Sequence, residues 1–379
     1  YHCPSRQTDR TLRQKNSGKS IGGRYIMSKK LSKQKLSDII TYGIVIAAFV
    51  IMQILINAGE ISSLFQGLMV PLCTYIILAI SLNLVVGILG ELSLGHAGFM
   101  CVGAFTSSFF SKAMQDTITN STVRFLLALL IGIITAAIFG IIIGIPVLRL
   151  NGDYLAIVTL AFGEIIKNLV NVLFIGKDSK GFHFSTKDAV SLNMEPDGKI
   201  ILNGPQGITG TPNDSTFFIG FILILVTLFI VLNLIHSRDG RAIMAIRDNR
   251  IAAESIGINI TKYKLMTFTI SAAMAGAAGV LYGHNLSNLT ANTNNFGYNM
   301  SINILVFVVL GGIGNIRGSI ISAVILTLLP ELLRGLSDYR MLIYAIVLII
   351  MMLFNWAPKA IEWREKYLSF GKKKKEASK

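Results

Sequence analysis

Glu164 and Lys167 lie three residues apart inside the apolar run 154–176, the spacing at which opposite charges meet on one helix face. An ionisable pair in such a run is costly to hold and reads first as functional, as a proton- or ion-linked step or part of a solute path. The other reading is a structural pair that locks two helices. A second group, Asn83, Glu91, Ser93 and His96, surrounds the glycine-rich interruption GILGELSLGHAG, Gly87 to Gly98. Half-helix ends at such a break can face a substrate's ammonium or carboxylate, or the residues can serve as turn caps in a water-facing loop. Asn151, Gly152, Asp153 and Tyr154 read as a turn with an Asp cap before the next apolar run.

The chemistry that is missing narrows the classes. GKS at Gly18 to Ser20 lacks the glycine a phosphate loop needs five residues earlier, where Arg13 stands. There is no H-E-x-x-H, no G-x-S-x-G and no metal-spaced histidine cluster among the five histidines. The reading is therefore not an enzyme: no catalytic residues, no metal and no cofactor. Active transport by this chain needs an ion gradient or a separate ATPase. Cys3, Cys73 and Cys101 form no even disulfide framework; two of them lie in apolar runs and read as small buried hydrophobes.

One middle segment differs from its surroundings. GRAIMAIRDNRIAAESIGINITKYKL, Gly240 to Leu265, carries charge and no long apolar run. At about 100° per residue, Ala242, Ile243, Ala245, Ile246, Ala252, Ala253 and Ile256 share one half of a helix. Arg241, Arg247, Asp248, Glu254 and Ser255 share the other. Met244 and Ile251 stand as apolar outliers on the charged face, and Gly257 closes the pattern as a C-terminal glycine does.

The elements that position these groups are membrane spans. The chain is 52% hydrophobic and 15% charged, against about a quarter charged for soluble proteins, and its apolar runs fall near 39–57, 65–89, 94–111, 124–148, 154–176, 216–236, 265–283, 301–330 and 339–357. The net charge of +15 is concentrated in residues 1–38, 237–264 and 358–379. Basic excess beside apolar spans is the positive-inside pattern, and no folded soluble part exists to carry a nucleic-acid patch. Placing both basic ends in the cytoplasm requires an even number of crossings. The run 301–330 supplies it, because GGIGNIRG, Gly311 to Gly318, breaks a stretch too long for one span of about 20 residues.

The expected fold is all-α: a polytopic integral membrane protein of about ten membrane segments, with 301–330 as two half-length pieces. Residues 1–38 form a basic cytoplasmic segment, 39–357 the transmembrane domain, and 358–379 a basic cytoplasmic tail. The loop 177–214 lies outside and 237–264 in the cytoplasm. No cleavable signal peptide is read. Met27, opening MSKKLSKQKL, reads as the natural initiator, with 1–26 as an extension. LVVGILG (Leu84 to Gly90) and LVFVVLGG (Leu305 to Gly312) match loosely, as paired interrupted segments of an internally repeated transporter do; chance likeness between apolar glycine-rich runs is the alternative. GPQGITGTP, Gly204 to Pro212, is a turn-dense stretch, either plain surface loop or a contact for an external delivery protein.

Three segments together carry a resemblance. LSLGHAGFMCVGAFTS (Leu92–Ser107), RLNGDYLAIVTLAFGEIIKNL (Arg149–Leu169) and GRAIMAIRDNRIAAESIGINITKYKL (Gly240–Leu265) resemble the LivM-type permeases of branched-chain amino-acid ABC importers. GPQGITGTP and VVLGGIGNIRGSI (Val308–Ile320) fit in the same order, so the resemblance spans roughly 40–335. It implies a multi-pass permease of the bacterial inner membrane, both termini cytoplasmic, in contact with membrane lipid. It also implies a homologous second permease, two cytoplasmic ATPase subunits and an extracytoplasmic substrate-binding protein. By resemblance, Gly240 to Gly257 is the coupling helix that seats in an ATPase groove. Ala252-Ala253-Glu254 to Gly257 echoes the Glu-Ala-Ala-x-x-x-Gly motif of such importers, with the order of Glu and Ala changed. The expected coupling residues are Arg241, Met244, Arg247, Asp248, Ile251, Glu254 and Gly257, with Met244 and Ile251 as knobs and Arg247 and Glu254 flanking; packing against the permease's own loops is the alternative. Asn83, Glu91, Ser93, His96, Glu164 and Lys167 are the expected pathway residues. Leucine, isoleucine and valine are the implied solutes. Related permeases carry urea, short amides or simple sugars, and a secondary transporter using Glu164 and Lys167 is the reading from another class.

Overall fold

The computed structural model describes residues 38–58, 63–150, 152–196, 198–333 and 339–356. The expectations for Met27, nearly all of the 1–38 segment, Asn151 and the 358–379 tail fall outside these. The chain divides into two compact units, Tyr1–Ser62 and Ser63–Lys379. The first contributes α1, Asp38–Asn57, an apolar 20-residue helix.

The second unit opens with α2, Ser63–Asn83, which passes into a π-helical turn, Leu84–Leu89, and then an irregular stretch. There follow α3 (His96–Ala113), α4 (Ser121–Val147), α5 (Asp153–Val172), α6 (Phe217–His236), α7 (Arg238–Asp248), α8 (Arg250–Ser255) and α9 (Ile260–Gly283). The last helices are α10 (Thr293–Phe296), α11 (Tyr298–Gly311), α12 (Ile316–Leu332) and α13 (Arg340–Trp356). Short polar residues set many of these starts, as N-caps that satisfy amides the first turn leaves open. Asn120 accepts from the Thr122 amide, Asn259 from Lys262 and Asn315 from Gly318. Helix α5 starts differently: Gly152 occupies its cap position at φ +61 with no side-chain cap bond, and Asp153 is already helical.

Among the described residues, six helices are long and apolar enough to cross a membrane: Asp38–Asn57, Phe65–Leu89, Ser121–Val147, Tyr154–Val172, Phe217–His236 and Ile260–Gly283. Helices α3, α11, α12 and α13 are shorter, at 18, 14, 17 and 17 residues. The 301–330 run does divide at its glycines. The two helices, α11 and α12, rise about 21 and 26 Å at 1.5 Å per residue, so the first falls between a half-length piece and a full span of about 30 Å and the second comes close to a full one.

The core forms around α9, flanked by α2, α3 and α4. Close approach of α3 to α9 is possible because Gly103 faces Gly276: a Cβ added at Gly103 would lie 2.6 Å from the Gly276 Cα. Small residues of this kind let membrane helices pack backbone to backbone, where van der Waals contact replaces the hydrophobic drive. Cys73 and Cys101 are buried and unpaired in this packing.

The all-α expectation needs one amendment. The segment expected as an irregular loop, 177–214, takes part in a small β-structure at one end of the bundle. Strands β1 (Phe174–Asp178), β2 (Gly181–Ser185) and β3 (Lys199–Asn203) form an antiparallel sheet in the order β2-β1-β3. Phe174 pairs with Ser185 on one side and Asn203 on the other. Strand β4 (Ile208–Thr209) pairs with β5 (Asn288–Leu289), which anchors GPQGITGTP to the end of α9. The stretch is not plain surface: Ile208 is fully buried, and the Lys112 ammonium at the end of α3 donates to the Thr209 carbonyl at 2.6 Å. In the sheet, burial pushes the Asp178 carboxyl up, but the Lys180 and Glu195 amides and the His183 ring hold it below the usual carboxylate range. Hydrogen bonds from Lys180 and Ser179 lower Glu195.

The amphipathic segment lies at the opposite end of α6 and is two helices, not the single expected one. Asn249 leaves helical geometry at φ −155, ψ 103 and caps α8 by accepting from the Ala252 amide at 3.0 Å. A continuous 100° count across Asn249 therefore fails. Ile243, Ile246 and Ala253 are buried as expected, but Ile256 is 75% exposed rather than on the covered half. Gly257 takes φ +85 and ends α8.

Candidate functional site

The two glycine-rich breaks, more than two hundred residues apart in sequence, meet. Asn83, fully buried at the last turn of α2, donates from Nδ2 to Ser319 Oγ at 2.9 Å. Its Oδ1 accepts from the Gly314 amide at 2.8 Å. One side chain thus bridges the end of the first broken helix to the turn between α11 and α12. The backbones touch beside it: a Cβ added at Gly87 would stand 2.6 Å from the Gly314 Cα.

Below this junction, toward α7, two cations close on the first break. The Arg247 guanidinium donates from Nη1 to the Gly87 carbonyl at 2.9 Å, and its Nε and Nη2 donate to Asp248 Oδ1 at 3.1 and 3.0 Å. Lys264, nearly fully buried near the start of α9, pairs with Glu91. Burying a charge demands a partner, and each of these two is the other's.

Past Glu91 the chain turns into α3 through a buried polar crossroads. The Leu94 amide donates to Thr159 Oγ1 at 3.0 Å and the Ala97 amide to Ser301 Oγ at 3.3 Å, so α5 and α11 both hold the break. His96 Nε2 lies 2.8 Å from Ser271 Oγ, whose hydroxyl donates to the Ser81 carbonyl at 2.6 Å. A hydroxyl has one proton, so Nε2–H must be the donor to Ser271 and Nδ1 is left as an acceptor. Nδ1 and the Ser93 hydroxyl are buried without a partner among the described residues.

Glu164 and Lys167 stand apart from this crossroads, nearer the sheet end of α5. Lys167 Nζ is 2.5 Å from Glu164 Oε2 and donates to Thr293 Oγ1 at 3.2 Å. Glu164 Oε1 accepts from the Tyr298 amide at 2.8 Å. The carboxylate sits on the N-terminus of α11, where the helix dipole favours it. The pair therefore fastens α5 to α10 and α11. The structure brings Asn83, Glu91, Ser93 and His96 to one neighbourhood and places Glu164 and Lys167 in another.

The Ser271 hydroxyl gives its proton to the Ser81 carbonyl and not to His96, so the two are not poised as nucleophile and base; among the described residues no group of His, Cys, Asp or Glu could hold a metal. What the arrangement offers is a set of broken helices with polar groups at the breaks, cross-linked to a separate amphipathic helix pair. The family model for the branched-chain amino acid transport system / permease component matches residues 63–354.

The chain belongs to this family.

Its likeness to individual members of the branched-chain amino acid permease family is extensive. It is 34% identical over 296 residues to the high-affinity branched-chain amino acid transport system permease protein LivM of Escherichia coli strain K12, covering 76% of this chain and 67% of that one. It is 26% identical to the corresponding LivH protein of Salmonella typhimurium, over 74% of this chain and 89% of that one. The fructose import permease protein FruG of Bifidobacterium longum is 24% identical, over 88% and 94%. No solved structure matches the chain.

In this permease the expected coupling residues divide. Ile251 is 82% exposed, and Arg241, Asp248, Glu254 and Gly257 are exposed around it. Met244 is only half-buried and lies on α7, so it does not share a helix face with Ile251. Arg247 reaches inward to Gly87. Several residues of the site escaped the sequence reading: Lys264, Ser271, Thr159, Ser301, Gly314 and Ser319. Two left a signal: Gly314 as part of the break GGIGNIRG, and Lys264 as a lysine at the edge of the apolar run 265–283.

Proposed function

We propose that this chain is a permease subunit of an ATP-driven importer for the branched-chain amino acids leucine, isoleucine and valine in a bacterial inner membrane. It forms the translocation path with a homologous second permease, is driven by two cytoplasmic ATPase subunits and receives solute from an extracytoplasmic binding protein. The carrying observation is the likeness to LivM over most of the chain, beside a family match over residues 63–354 that includes both breaks and the α7–α8 segment. The absence of any nucleotide-binding motif in the sequence supports a separate motor.

In this reading ten helices cross: α1 to α6, α9, α11, α12 and α13. An even number leaves both basic ends on the cytoplasmic side, with the β-structure outside and α7–α8 inside. Ile251 is the knob that enters the ATPase groove, with Met244 at the groove's edge and Arg241, Asp248 and Glu254 as polar surroundings. Closure of the ATPases moves α7–α8 only insofar as the permease contacts their two states differently. Asn83, Glu91, Ser93 and His96 shape the path at the first break, and Glu164 and Lys167 brace it from α5.

The test is uptake by the reconstituted complex, with and without ATP, across leucine, isoleucine, valine, urea and fructose. ATP-dependent uptake of the three branched-chain amino acids supports the reading. Uptake of fructose alone favours the sugar permeases, and uptake driven by a pH gradient without ATP contradicts the importer.

A further inference from the structure

Arg247 belongs by sequence to the surface that meets a partner, yet its guanidinium turns back into the permease. Gly87 lies in a π-helical turn that ends at Leu89, so its carbonyl is among those a helix end leaves without an intrahelical partner. Arg247 Nη1 supplies the bond at 2.9 Å. Asp248 orients the guanidinium from the other side through Nε and Nη2. The approach is close, because a Cβ added at Gly90 would stand 2.5 Å from the Arg247 Cγ. Two bonds from Asn83 then connect the same turn to Gly314 and Ser319 at the second break. The Lys264–Glu91 pair fixes the far side of the first break to α9.

We infer that Arg247 is a positioning residue: seated on the Gly87 carbonyl, it delivers the movement of α7 to the junction where the two broken segments meet. The inference rests on the importer reading and specifies which contact carries the motion. π-Turns are lengthened helix turns with strained hydrogen bonding and recur at functional positions, which suits a segment that must change register. A rigid, planar donor held by a carboxylate transmits displacement better than a flexible one, and a lysine would present only a point charge. Asp248 acts through Arg247 and touches no part of the break itself.

The experiment compares wild-type, R247Q and R247K importers in proteoliposomes, reading ATP hydrolysed per solute carried. A coupling contact of ordinary strength changes that ratio in R247Q by roughly tenfold while basal hydrolysis stays within about twofold, with R247K between. A purely structural role lowers hydrolysis and uptake together and leaves the ratio unchanged; that result overturns the inference. If R247Q does not assemble with its partners, R247K is read in the same way, and a wild-type ratio there is equally adverse. A second arm uses no solute: hydrogen exchange of residues 84–95 with and without trapped ATP. The inference expects an ATP-dependent change in the wild type that R247Q abolishes, and an unaltered change in R247Q refutes it. Failure of the importer reading would be seen separately, as wild-type complexes that take up no branched-chain amino acid with ATP.

Discussion

Replacing Asn83 with alanine tests whether the two breaks are physically joined. The substitution removes both bonds of a fully buried amide. The part-buried Gly314 amide then loses its acceptor, and an orphaned donor costs about 1–3 kcal/mol, the upper end applying to full burial. Ser319 Oγ keeps its bond to the Asn315 carbonyl at 3.2 Å, so its share is at the low end of about 0.5–1.5 kcal/mol. Together N83A is expected to destabilise by about 1.5–3.5 kcal/mol. The assay is equilibrium unfolding in mixed detergent of N83A, S319A and the double variant. Because S319A already removes one partner, the double variant should lose less than the two singles together, with a coupling of about 0.5–3 kcal/mol. Effects that add within about 0.3–0.5 kcal/mol would show that Asn83 is not joined to the second break through Ser319, leaving only its bond to the Gly314 amide; an N83A loss below about 0.5 kcal/mol would remove that link too.

Three further outcomes follow from the geometry. E164Q keeps the shape but leaves Lys167 without its counter-charge. Breaking a buried pair costs about 3–5 kcal/mol, and with the Glu164 side chain 25% exposed the expected loss, screened by solvent, is about 1–3 kcal/mol; E164Q/K167M should recover part of it in the same unfolding assay. I251D should leave the permease fold intact, because Ile251 packs against little of its own chain, yet weaken capture of the ATPase subunits in pull-down titrations by roughly tenfold or more, the worth of one buried isoleucine. The Asp178 carboxyl is held below its unfolded value, so its contribution to the sheet is complete above about pH 4 and disappears as pH falls through the lower folded value. Limited proteolysis of 177–214 should be constant from neutral pH to about pH 5 and rise below pH 4, and D178N should flatten that rise.

The sequence carried the positions of both breaks, because glycine runs inside apolar stretches have no other use than a turn or a close approach. It carried the Glu164–Lys167 pair too, since i,i+3 neighbours need only a helix to meet. What it could not carry were contacts between distant segments: nothing local in Arg247 points to Gly87, or in Lys264 to Glu91. The division of the amphipathic segment was there to be found. Asn249 is a strong N-cap type, but a 100° count treats every residue alike and runs through it. The β-strands escaped because each is at most five residues long and sits among the glycines and prolines that mark loops. Ile256 was misplaced because α8 ends at Ser255 and Ile256 is only its C-cap, where a helical phase no longer holds.

The central claim is that this permease moves branched-chain amino acids at the cost of ATP hydrolysed by other chains. Radiolabelled leucine uptake into proteoliposomes holding the permease pair, the ATPases and the binding protein tests it most directly. Accumulation against a gradient that requires ATP and stops when the ATPase subunits are omitted is the expected result. Equal uptake by the permease alone under a proton gradient would contradict it.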